Sequence, residues 1–210
     1  MSNELNPQTE GHLQLAIDLS ERAFVLLLFA TFVVRLSHTI LLRPYNLIAI
    51  FSEALVAYLI VVRRPSVIVT LRLSDWIAAL VGTALPMFAR AGGQSLIVTA
   101  VGTTLMSGGL LLAIWAKISL RESFGIAAAN RGPVGGGPYR WIRHPMYAGY
   151  IIVYVGFFLN NPLLWNLGVY VAGIAFLIMR ILAEERILSL DPQYSDYRTG
   201  VRYRLLPGIF

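Results

Sequence analysis

Residues 94–116 read Gln94-Ser-Leu-Ile-Val-Thr-Ala-Val-Gly-Thr-Thr-Leu-Met-Ser-Gly-Gly-Leu-Leu-Leu-Ala-Ile-Trp-Ala116, without one charged side chain. A helix of that length rises about 34 Å at 1.5 Å per residue, enough to cross a hydrocarbon core of roughly 30 Å. The rest of the chain has the same character. Of 210 residues, 57% are apolar and only 13% charged, about half the charged share of a soluble domain, and the mean hydropathy is +0.66. So few charges cannot cover the surface of a 23.3 kDa soluble enzyme, and so apolar a chain is not disordered. The fold expected is an all-α polytopic membrane bundle.

Working outward, six segments are long and apolar enough, or nearly so, to span: 23–42, 45–62, 74–90, 94–116, 145–160 and 163–183. Turn chemistry separates them at Arg43-Pro44, Arg63-Arg64-Pro65, Ala91-Gly92-Gly93 and Asn160-Asn161-Pro162. Orientation follows from Lys and Arg. With the N-terminus cytoplasmic, the inner side holds Arg22, Arg63, Arg64, Arg72, Lys117, Arg121, Arg131, Arg140, Arg143, Arg180, Arg186, Arg198, Arg202 and Arg204, while the outer side holds Arg43 and Arg90. Fourteen against two predicts both termini on the cytoplasmic face. The organisation expected is an N-terminal interfacial segment (1–22), a four-span region (23–116) and a C-terminal region with two further spans (117–210). Glu4, Glu10, Asp18 and Glu21 precede the first apolar run, unlike the basic start of a cleaved signal.

Arg35 and Glu53 lie nine residues to either side of Pro44, so a hairpin sets them at similar depth. They read as a buried ion pair, with a polar pathway as the alternative. His38 reads as a packing residue. Gly102, Gly108 and Gly109 predict close helix packing in the fourth span. The chain has no cysteine, and His12, His38 and His144 share no helix face at ligand spacing, so no metal site is expected. The net charge of +6 is concentrated after residue 116. In so apolar a chain that excess suits anionic lipid or an anionic cofactor better than nucleic acid. No obligate protein partner is evident.

Chemistry concentrates in Asn130-Arg-Gly-Pro-Val-Gly-Gly-Gly-Pro-Tyr-Arg-Trp-Ile-Arg-His-Pro-Met-Tyr147. Gly132, Gly135, Gly136 and Gly137 allow close backbone approach to a ligand. Pro145 suits the first turn of a helix, whose N-terminus would face an anionic group, with His144 at its mouth and Tyr139 and Tyr147 as aromatic faces. A basic loop that only anchors headgroups is the alternative. A second constellation, Met179-Arg180-Ile-Leu-Ala-Glu184-Glu185-Arg186, puts Arg180 and Glu184 on one helix face. They read either as a mutual salt bridge or as two ligand-binding groups, Arg180 for an anion and Glu184 for a cation or hydroxyl. Tyr194 and Tyr197 read as packing residues.

Gly137–Gly149 (GPYRWIRHPMYAG), followed by Glu184-Glu185 and the Tyr194/Tyr197 tail, resembles the isoprenylcysteine carboxyl methyltransferase family, integral membrane enzymes that use S-adenosylmethionine and are related to the phospholipid N-methyltransferases. The resemblance spans about residues 117–207. It implies that Tyr139, His144, Pro145, Met146 and Tyr147 contact the cofactor with Glu184 as the acidic contact, and that Arg180 holds the substrate carboxylate. An upstream cofactor stretch corresponds to Arg131–Val134, from which only Val134 is carried over, because Gly135-Gly136 replaces the family's small polar pattern. Arg180 and Glu184 are thus the implied catalytic residues, and a lipophilic prenylated or lipid acceptor is the implied partner beside membrane lipid. Arg180 favours a carboxylate over an amine acceptor, since a carboxylate is ionised at neutral pH and needs no base. The alternatives are a phospholipid or other lipid N-methyltransferase, an NADPH-dependent sterol-type reductase, and a non-enzymatic lipid-binding protein.

Overall fold

The computed structural model describes residues 7–37, 46–64, 68–96, 98–126 and 128–208, and it is mostly helical. The chain divides into two compact units, Met1–Val62 and Arg63–Phe210. In the first, α1 (Pro7–Ser37) and α2 (Asn46–Val62) pack as a helical hairpin. Val25, Val56, Ala57, Leu59 and Ile60 are buried there, together with Ser52 and Glu21. Arg22 Nε donates to Asp18 Oδ2 at 2.6 Å, and its Nη1 donates to the Val61 carbonyl at 3.0 Å. α1 runs unbroken through the boundary expected at residue 22, because neither glycine nor proline lies between Gly11 and Ser37. The side chain of Arg35, and with it the expected pair with Glu53, lies outside the described residues, as do His38, the Arg43-Pro44 turn and the side chain of His12.

The second unit runs β1 (Ile68–Val69), α3 (Leu73–Ala84), α4 (Thr99–Leu120), β2 (Ala129–Asn130), α5 (Pro145–Asn160), α6 (Leu164–Leu188) and α7 (Pro192–Gly200), with short 3-10 turns at Leu85–Phe88, Arg121–Ser123 and Gly137–Arg140. β1 and β2 pair antiparallel, Ile68 with Asn130 and Val69 with Ala129. Among the described residues, two helices are long and apolar enough to cross a membrane, within Thr99–Ser123 and Leu164–Leu188; Ile50–Val62, Leu73–Phe88 and Pro145–Asn160 are shorter apolar helices. The chain is a membrane protein on this architecture. The expected count of six spans is not confirmed by these helices, which among the described residues are two of full length and three that are shorter. Pro86 is the reason in one case, since it ends α3 in a 3-10 turn.

α4 and α5 pack along their length because glycine removes the side chain where their backbones cross. A methyl group at Gly149 would lie 2.5 Å from the Gly109 carbonyl oxygen, and one at Gly156 would lie 2.7 Å from that of Gly102. Gly108, the third glycine expected at this contact, faces open space instead, one residue out of phase with the seven-residue spacing of the other two. At the end of the bundle away from the start of α5, the two expected turns join. Fully buried Asn166 accepts from the Arg90 amide at 2.9 Å and donates to the carbonyls of Arg90 and Asn161, both at 2.8 Å. Asn161 Oδ1 accepts from the Gly92 amide at 3.0 Å.

Gly149→Ala is expected to lower the thermal unfolding midpoint in detergent, by an overpacking cost of about 1–3 kcal/mol, whereas Gly108→Ala leaves it unchanged or raises it slightly. Equal midpoints for the two variants would refute the close crossing.

Candidate active site

α5 begins where the sequence predicts, with Pro145 at its first turn and His144 as its cap. The segment before it is shaped by two glycines. Gly132 (φ 94°) and Gly137 (φ 59°) occupy the left-handed region that side chains disfavour, and a methyl group at Gly137 would collide with the Ser119 hydroxyl. Gly136 has ordinary extended backbone, so the glycine run is not uniformly a conformational demand.

These turns enclose a cleft whose empty space, its open mouth included, is about 720 Å³. Val134, Tyr139, His144, Met146, Tyr147 and Glu184 all line it, beside Arg131, Arg143, Tyr194 and Tyr197. Pro145 is buried behind this wall as the first residue of the helix. A basic opening lined by Arg64, Arg121 and Arg131 shares Ser123, Gly132, Pro133 and Val134 with the cleft.

Two adjacent carboxylates on α6 flank the His144 ring. Tyr147 donates its hydroxyl to Glu184 Oε1, while Glu184 Oε2 lies 3.7 Å from His144 Nδ1. On the other side, Glu185 Oε1 stands 3.3 Å from His144 Nε2. Glu184 keeps 21% of its side chain exposed to the cleft, whereas Glu185 keeps 6%. Arg143 Nε approaches Glu185 Oε1 to 2.9 Å, close enough to pair charges although its N–H is not aligned for a hydrogen bond. Arg204 Nε donates to Glu185 Oε2 at 2.8 Å. The sequence marks Glu184 and Glu185 as neighbours but not their division of labour: one faces the cleft, and the other is buried among cations.

Arg180 lies one turn below Glu184 and does not pair with it. Its Nη1 donates to Thr83 Oγ1 at 3.2 Å and its Nη2 to the Ile126 carbonyl at 3.1 Å. Its guanidinium carbon sits 5.1 Å from the centre of the Tyr147 ring, a cation–π contact. Arg180 is therefore buried behind Tyr147 and is not among the residues lining the cleft.

The tail contributes more than packing. Tyr197 donates its hydroxyl to the Tyr139 carbonyl at 2.7 Å. Tyr194 is buried, and its hydroxyl has no hydrogen-bond partner among the described residues. Burial pushes the Tyr139 phenol well up, with Glu184 and Tyr197 adding to the effect. Burial also raises Tyr194, and it pushes Tyr197 up to about 12. All three phenols are therefore neutral donors at physiological pH. Beyond α7, the amides of Arg143 and His144 donate to the carbonyls of Tyr203 and Arg204, both at 2.9 Å. Arg143 and Glu185 belong to the quoted motifs, but the sequence assigns no role to them or to Arg204. The Glu-Glu pair at the end of a long, mainly apolar helix is the signal available for Glu185.

A sequence model of the phospholipid methyltransferase family matches residues 97–191, from the start of α4 to the cap of α7. The match covers a little under half of the chain, and it takes in α4, which carries no motif of its own. The family supports a membrane methyltransferase. Among solved structures, the chain is similar to the eukaryotic intramembrane Ras methyltransferase, isoprenylcysteine carboxyl methyltransferase, solved without a monobody. The identity is 18%, the TM-score 0.48, and the alignment covers 98% of this chain and 88% of that one. No curated protein matches the sequence.

Tyr197→Phe is expected to cost about 1 kcal/mol of stability through loss of its hydrogen bond to Tyr139. Because folding raises this phenol's pKa, its contribution is complete below about pH 10 and is lost as pH rises through about 12. The variant's alkaline unfolding limb should therefore be shallower than that of the parent protein in a thermal-midpoint-versus-pH series.

Proposed function

We propose that this protein transfers a methyl group from S-adenosylmethionine to a lipophilic acceptor at the membrane, the leading acceptor being the C-terminal carboxylate of S-isoprenylcysteine. The observation that carries this reading is a single cleft lined at once by Val134, Tyr139, His144, Met146, Tyr147 and Glu184. These residues suit the donor. Its cationic sulfonium and ammonium groups match a partly exposed carboxylate, Glu184, and the faces of Tyr139 and Tyr147. The buried Tyr194 hydroxyl, without a partner among the described residues, is a further polar group available to its hydroxyls or ring nitrogens. When bound, the donor supplies a methyl group on a leaving group good enough that transfer is a direct displacement.

What remains for the protein is alignment, and orientation is worth about 7–11 kcal/mol of a bimolecular barrier. Tyr147 serves it by donating to Glu184 and so fixing the carboxylate's orientation. The buried phenols and Met146 exclude water from the wall of the cleft. Arg180 is assigned to the acceptor. Thr83 and the Ile126 carbonyl hold two of its nitrogens and its guanidinium carbon stands over the Tyr147 ring, so it is a rigid cation on the bundle side of the ring that lines the cleft. Guanidinium suits a carboxylate, which is ionised at pH 7 without help from a base. Too strong a pair would favour the ground state over the neutral ester product, so Arg180 acts by positioning. Embedding the enzyme follows from the acceptor, because withdrawing an acyl or prenyl chain from the bilayer costs about 0.8 kcal/mol per CH₂.

The family match of residues 97–191 favours a second reading, N-methylation of a phospholipid amine. An amine must lose a proton before it attacks, and Glu184 is the carboxylate lining the cleft that would accept it.

Incubating membranes with methyl-labelled S-adenosylmethionine separates the readings. Base-labile counts in the lipid extract are expected for carboxyl methylation, base-stable counts would transfer the assignment to the amine, and the absence of enzyme-dependent counts would reject both. Within the first reading, Glu184→Ala should weaken S-adenosylmethionine binding roughly 10- to 100-fold, the range for a hydrogen bond to a charged group. Arg180→Ala should leave that affinity nearly intact while raising the acceptor KM or lowering kcat. Equal loss of donor binding in both variants would overturn the division of roles.

A further inference from the structure

We infer that the C-terminal segment Val201–Pro207 is a working part of the donor site, acting as a brace that is docked through Glu185 and holds His144 in place. Three contacts join it to the site. The Arg143 amide donates to the Tyr203 carbonyl and the His144 amide to the Arg204 carbonyl, each at 2.9 Å, so the tail is tied by backbone hydrogen bonds to the two residues that precede α5. The Arg204 side chain then turns inward to Glu185 Oε2 at 2.8 Å. Beyond this clamp, Leu205 is buried, so the segment is anchored on both sides of Arg204.

Glu185 does not line the cleft, and nor does any residue of Val201–Pro207. Their effect on a ligand is therefore indirect. It passes through Arg143 and His144, which do line the cleft and which take their backbone partners from the tail. Glu185 completes the link, since one carboxylate receives Arg143 and His144 on Oε1 and Arg204 on Oε2. With the tail released, Arg143 and His144 lose two backbone acceptors, and the buried carboxylate loses one of its cations. Any ligand that needs the His144 ring and the start of α5 in this geometry then has to select it from a wider ensemble, which lowers apparent affinity. The coupling is reciprocal: a ligand bound in the cleft must strengthen the docking of the tail by the same factor by which the tail strengthens its binding.

Docking itself is independent of the proposed activity, whereas the coupling to the donor rests on that reading. Two measurements on the full chain in detergent micelles separate them. In ligand-free protein, the amides of Arg143 and His144 should exchange with deuterium at least about tenfold faster in Arg204→Ala than in the parent, with Arg204→Lys restoring most of the protection and Gly108→Ala serving as a folded control. Unchanged exchange in Arg204→Ala would overturn the brace. With S-adenosylhomocysteine as the probe in calorimetry, Arg204→Ala should bind about tenfold more weakly and Arg204→Lys near the parent value, and saturating probe should slow exchange at residues 201–205 of the parent. A released tail with unaltered probe affinity would overturn the coupling. A parent protein that binds no S-adenosylhomocysteine would reject both the coupling and the proposed donor, leaving exchange at Arg143 and His144 to decide the brace.

Discussion

The buried carboxylate of Glu185 is the constraint around which the end of the molecule that carries the cleft is arranged. An ionised carboxylate withdrawn from water is costly unless it is paired and hydrogen-bonded. Here Arg143, Arg204 and His144 surround both of its oxygens. Those three partners come from the segment before α5 and from the tail, and the carboxylate itself stands on α6. Satisfying one charge therefore draws together three stretches of chain separated by up to sixty residues. The cleft lies against this junction, with His144 as the shared wall.

One helix turn thus carries two carboxylates with different duties. Glu184 remains partly exposed and is held from within by Tyr147; Glu185 is sealed and held by cations. Arg180, a turn further along α6 toward the bundle, is fastened to Thr83 on α3 and to the Ile126 carbonyl. It supports Tyr147 from behind while Tyr147 supports Glu184 from below. The chain Thr83–Arg180–Tyr147–Glu184 links the apolar bundle to the polar cleft through consecutive short contacts.

Rigidity below this junction comes from packing without side chains. Gly102 and Gly109 on α4 meet Gly156 and Gly149 on α5 at backbone distance, and Asn166 locks the far turns together. In a bilayer, association of helices gains little from the hydrophobic effect and depends on close contact and interhelical hydrogen bonds. α5 can therefore present His144, Met146 and Tyr147 from a fixed base.

Much of this was legible in the residues. The uncharged run at 94–116, the start of α5 at Pro145, the breaks at Gly92-Gly93 and Asn160-Asn161, and the gathering of Tyr139, His144, Met146, Tyr147 and Glu184 around one feature all follow from local chemistry: hydropathy, proline's fixed φ, turn propensity and a motif. The length of α3 did not, because a short apolar helix and a true span share composition and differ in length, which Pro86 curtails in α3. Nor could local sequence tell Glu184 from Glu185, since adjacent residues on a helix point about 100° apart and only the packed neighbours decide which direction is solvent and which is interior. Arg204 gives no local sign of its role. Its partner lies nineteen residues away, and the pairing exists only because the folded tail returns beside Arg143 and His144. Local sequence determined where helices begin and which side chains carry chemistry; the tertiary structure alone decided which charges are buried together, because burial is a property of the assembled neighbours and not of the residue.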